Sequence, residues 1–166
     1  MNYVIGVFAV LVAVISQIAI MPAFSIFGVQ PNLVIVLLVA WMAARGRSEA
    51  LVLIPIAGFT QGLLDSQPLG LAMLALAPLT LMTDFRELRL VDSDLLPAIG
   101  LTMAATVVYE CTIMVTLVLT GESVTWLASV TNVLVPAAIA NALLLIPVYW
   151  LIRISSLDLR QRPAFG

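Results

Sequence analysis

The chain has no histidine, no lysine and a single cysteine, and only 10% of its 166 residues are charged. Each shortage excludes a class of function. Without histidine, a serine or cysteine nucleophile has no imidazole base, and clustered His/Cys metal ligation is ruled out. A lone Cys111 forbids an internal disulfide and says nothing of redox compartment. Seven scattered arginines make no nucleic-acid face. There is also no glycine-rich loop followed by a lysine to cradle a phosphate. These gaps together point away from an enzyme.

Apolar residues fill the space instead. They make up 63% of the chain, against about 45–50% in soluble proteins. Six apolar stretches run Tyr3–Met21, Leu33–Ala44, Ala50–Leu64, Leu69–Met82, Leu95–Leu119 and Trp126–Ile152. They predict an all-α integral membrane protein in which residues 1–166 form one six-helix transmembrane domain, with no room for a soluble one. The first stretch lacks a basic n-region and a small-x-small site, so it reads as an uncleaved helix. The first, fifth and sixth meet the ~20 residues that a bilayer core requires. The central three are shorter, and such spans thin the bilayer or pack where protein surrounds them.

The arginines set the orientation. With the N-terminus inside, Arg45 and Arg47, Arg86 and Arg89, and Arg153, Arg160 and Arg162 all fall on the cytoplasmic side. The outer loops around Phe27, Gln67 and Glu122 have none, a strong positive-inside asymmetry. Both termini are therefore expected in the cytoplasm, with Arg45-Gly46-Arg47 at the tip of a short hairpin. The connector Asp84–Asp94 reads as a short helix on the headgroups, as a solvated loop or as a docking surface for a cytoplasmic partner.

Within the apolar segments, Pro55, Pro78, Pro136 and Pro147 each free a carbonyl and favour a kink. Pro31 stands at a helix start, where its missing N–H costs nothing. Glu110 is the ionisable residue deep in a segment, and such a carboxyl is a functional candidate by default. Three readings stay open for it: a structural clamp between helices, a proton or solute site, or a contact to another subunit. By depth its partners are Asn132 first, then Gln17 and Gln61. Gly58 and Gly62 form a GxxxG, and Ala9 and Ala13 a second small pair. Both allow helices to approach closely.

The order of short motifs resembles a known family. Gln30-Pro31-Asn32-Leu33 opens the second segment, and Gly58-Phe59 followed by Gly62 closes the third. Pro68-Leu69-Gly70 opens the fourth after a short turn. The last segment carries Asn132 and Pro136 and ends in aromatic residues and Arg153. Over nearly the whole chain this is similar to the MreD family of bacterial rod shape-determining membrane proteins. One difference is that Asp65 stands closer to Pro68 than the family's acidic outer-turn residue does.

The resemblance implies a non-enzymatic scaffold in the bacterial cytoplasmic membrane, without cofactor and without nucleic acid. Its implied partners are MreC, the RodA glycosyltransferase with its class B penicillin-binding protein, indirectly MreB filaments, and membrane lipids. It also implies a fold similar to the substrate-binding subunits of energy-coupling-factor vitamin transporters, and so an alternative role as such a subunit. Pro31, Asn32, Gly58, Gly62, Asp65, Pro68, Gly70, Glu110 and Asn132 are the candidate packing or partner-contact residues.

Overall fold

A computed structural model describes residues 2–25, 28–64, 70–83 and 95–160, and these are all-helical. The helices are α1 (Asn2–Ala19), α2 (Leu33–Arg45), α3 (Arg47–Leu64), α4 (Leu71–Leu76), α5 (Pro78–Met82), α6 (Leu95–Leu119), α7 (Trp126–Ser129) and α8 (Val135–Arg160). A π-helical turn, Val130–Leu134, joins α7 to α8.

Local chemistry accounts for most of the boundaries. Asn32 caps α2, its Oδ1 accepting from the backbone N–H groups of Val34 and Ile35 at 3.1 and 3.2 Å. Pro31 thus precedes the cap rather than opening the helix itself. At the other end Gly46 takes φ +108°, and its N–H returns to the Met42 carbonyl. A residue without Cβ is the natural choice for that reversal. The chain turns there directly into α3.

Four expected boundaries are corrected. The first helix stops at Ala19, because Pro22 draws Met21–Ala23 into a 3-10 turn. The third begins at Arg47 rather than Ala50. The segment expected over Leu69–Met82 is two helices broken at Ala77, with Pro78 opening the second. The last helix runs on to Arg160. The π turn also has a cause in the sequence. Pro136 has no N–H for the Asn132 carbonyl, so the ladder there cannot continue in α register.

At the centre lies α2. Val34 through Met42 are buried without interruption, the mark of a helix enclosed on all sides. It packs against α1, α3, α6 and α8, while α4 lies on α3 and α6.

The outer surface is as apolar as the core. Phe8 and Ile15 of α1, Leu96 and Val115 of α6, and Leu143 and Leu151 of α8 are exposed. Leu119 and Leu127 stand 80% and 81% clear of the fold. Among the described residues two helices are long and apolar enough to cross a membrane alone, Leu95–Leu119 and Trp126–Ile154. Tyr3–Ala19, Leu33–Arg45 and Leu71–Met82 are apolar but shorter.

Candidate functional site

The polar groups of the interior gather where α2 begins. From α1, the Gln17 amide bridges the approach to the cap. Its Nε2 donates to the Pro31 carbonyl at 3.1 Å, and its Oε1 accepts from the Leu33 N–H at 2.6 Å. From α8, Asn141 closes the other side. Its Oδ1 accepts from the Asn32 N–H at 2.6 Å, and its Nδ2 donates to Thr106 Oγ1 of α6 at 2.9 Å. Thr106 in turn donates to the Thr102 carbonyl. Asn141, Thr102 and Thr106 are almost fully buried. One polar cluster thus ties α1, α2, α6 and α8 together. It also satisfies N–H groups at the α2 N-terminus, which no helix can satisfy for itself.

The Asn32–Asn141 bond fixes a register. Beyond it, α2 and α8 stay packed together, and Leu145, Tyr149 and Ile152 of α8 are buried in the same core as α2. Trp41 of α2 and Trp150 of α8 have one feature in common. Each carries an arginine over its ring, Arg45 on Trp41 at 4.5 Å and Arg153 on Trp150 at 5.8 Å.

A second polar pair lies between α3 and α6. Gln61 Nε2 donates to the Tyr109 hydroxyl at 3.3 Å, and Gln61 Oε1 is buried without a partner. Nearby, α3 and α4 meet almost backbone to backbone. A Cβ on Gly58 would stand 2.7 Å from Met73 Cα, whereas one on Gly62 would find only Gly70 N, at 3.6 Å. The close contact expected of the GxxxG is thus centred on Gly58. Gly70 caps α4 with φ +95°.

Glu110 does not meet Asn132. Asn132 is exposed on the π turn, and no hydrogen bond among the described residues reaches Glu110, which is partly buried. Gln17 and Gln61 are likewise committed to other groups. Asn141, which is not among the residues that depth in a segment singles out, is the asparagine that joins the interior. Its signal was the run of small neighbours Ala137, Ala138 and Ala140, all buried with it. Small residues of this kind let a partner helix come close enough to share an amide. Asp65, Pro68 and the Asp84–Asp94 connector lie outside the described residues.

With no partner to lose, Glu110→Leu should leave the melting temperature unchanged or raise it, since a carboxyl partly buried without a hydrogen bond is costly. A drop of more than ~2 °C would show a bond that the fold does not display. Normal melting with loss of cell-shape rescue would instead assign the carboxyl a functional task.

Among the described residues no group of three His, Cys, Asp or Glu could hold a metal ion. No curated protein and no solved structure matches the chain. The family model described as rod shape-determining protein MreD matches residues 1–155. That span takes in the capped entry to α2, the α3–α4 contact and the Asn141 clamp, and the chain belongs to the MreD family.

Proposed function

We propose that this chain is a non-enzymatic membrane scaffold of the cell-elongation machinery. It spans the bacterial cytoplasmic membrane six times as one domain, with both termini in the cytoplasm. It binds MreC and helps to organise peptidoglycan synthesis by RodA and its class B penicillin-binding protein, with MreB filaments as an indirect partner. The family match over residues 1–155 carries this reading. Two features of the fold support it. The interior polar groups around α2 are spent on one another, and the apolar outer face suits lipid and partner helices. Depleting the chain from its own cells should turn rods into spheres. Cells that stay rod-shaped without it would sink the reading.

Orientation has its own test. Reporters after Arg47, after Leu90 and at Gly166 should read cytoplasmic, and reporters near Gln67 and Glu122 should read external. The Trp41–Arg45 and Trp150–Arg153 pairs each set an arginine on an indole near the end of an apolar helix, which suits an inner interface. An external signal after Arg47 contradicts it.

A second reading is a solute-binding subunit akin to those of energy-coupling-factor transporters, whose fold the helix order would then share. One observation favours it, the buried Gln61 Oε1 left open beside Tyr109, since a buried acceptor without a donor is costly. Mass spectrometry of the purified protein would find a bound vitamin on this reading and none on the first.

A further inference from the structure

The tip of the α2–α3 hairpin holds a charge whose hydrogen bonds are unmade. Arg45 stacks over the Trp41 ring at 4.5 Å. The Trp41 indole N–H donates to Glu49 Oε2 at 3.0 Å, so that carboxylate is already engaged. Arg45 Nε and Nη2 are buried and have no hydrogen-bond partner. These two nitrogens form one edge of the guanidinium, and their N–H groups point the same way. That edge is the fork that grips two oxygens of a carboxylate or phosphate at once. Leaving a buried charged donor unpaired is expensive, so a ligand that completes the fork binds with that cost as its driving force.

The place of the fork identifies the ligand. Arg45 stands in the last turn of the apolar helix Leu33–Arg45, two residues before the exposed Arg47. An apolar membrane helix that ends in arginines ends at the membrane–water interface. The oxygen-rich anion at that depth is the phospholipid phosphate. Arg47, which is exposed and two residues away, adds positive charge, which favours a headgroup with net negative charge. We propose that Arg45 is a binding site for the phosphate of an anionic phospholipid, gripped by Nε and Nη2 while the guanidinium stays stacked on Trp41. The residue as a whole is only partly buried, so the fork lies just beneath the surface. Lipid bound there would hold the α2–α3 turn, and with it the central helix, at a set depth.

The test uses the full-length protein in nonionic detergent. Its melting temperature is read with added short-chain phosphatidylglycerol, short-chain phosphatidylcholine or inorganic phosphate. At saturating phosphatidylglycerol we expect a rise of roughly 3–5 °C, and little change with the other two. Arg45→Lys keeps the charge but lacks the fork, so it should lose more than half of that rise. Retention of phosphatidylglycerol adducts in native mass spectrometry should fall in parallel. An equal rise in the Lys variant, or none in the parent, overturns the proposal. An equal effect of phosphatidylcholine overturns the anionic preference, and an equal effect of inorganic phosphate overturns the lipid assignment. Should the Lys variant fail to fold, the three ligand arms on the parent protein still decide.

Discussion

Asn141→Leu should destabilise the helical core by about 2–3 kcal/mol, seen as a fall of roughly 5–10 °C in melting temperature. Interhelical hydrogen bonds in membranes average only about 0.6 kcal/mol, because the unfolded chain in lipid finds other partners. Asn141 exceeds that average for a specific reason. Its Oδ1 takes the Asn32 N–H at the entry to α2, and its Nδ2 reaches Thr106 on a third helix. Leucine cannot replace either bond, and the Asn32 N–H is left facing an apolar side chain. Thr106→Val provides the comparison. It removes one bond and leaves the Asn32 contact intact, so its cost should stay below about 1 kcal/mol. Equal losses in the two variants would show that the Asn32 contact adds nothing.

Gly58→Leu should be nearly as damaging, at about 1–3 kcal/mol, and should act on a different part of the molecule. The added Cβ alone would sit 2.7 Å from Met73 Cα. The obstacle is backbone, so no rotamer relieves it, and α4 must move off α3. Gly62→Ala meets nothing closer than 3.6 Å and should melt within ~2 °C of the parent. If Gly58→Leu also melts like the parent, the α3–α4 approach is looser than described. If Gly62→Ala proves the harmful change, the contact is centred one turn away.

These two residues differ in how far the sequence alone revealed them. Gly58 was legible, because a GxxxG in an apolar segment is a local signal and its meaning does not depend on register. The start of α2 was legible for the same reason, since Pro31 ahead of an apolar run marks it, but the cap on Asn32 was not read. Asn141 was not legible. Pairing across helices requires both depth and azimuth, and counting residues from a segment end yields depth alone. Asn132 matches Glu110 in depth. It stands nine residues before Asn141, about two and a half helical turns, and so on the opposite face. Asn132 itself lies in the π turn, a consequence of Pro136, which changes the azimuth from that of a regular helix. The enclosure of α2 was half legible. Its shortness and its unbroken run of apolar residues implied surroundings of protein, but which helices surround it depends on the whole topology.

The most direct measurement of the central claim is what the solubilised protein carries with it. Purified in mild detergent from its own membranes, the chain should co-elute with its MreC, a partner with a single transmembrane helix, and mass spectrometry should find no bound vitamin. Asn141→Leu should reduce that co-elution along with stability, while Glu110→Leu should not. A chain that elutes without MreC and carries a stoichiometric vitamin would contradict the scaffold account and leave the solute-binding reading in its place.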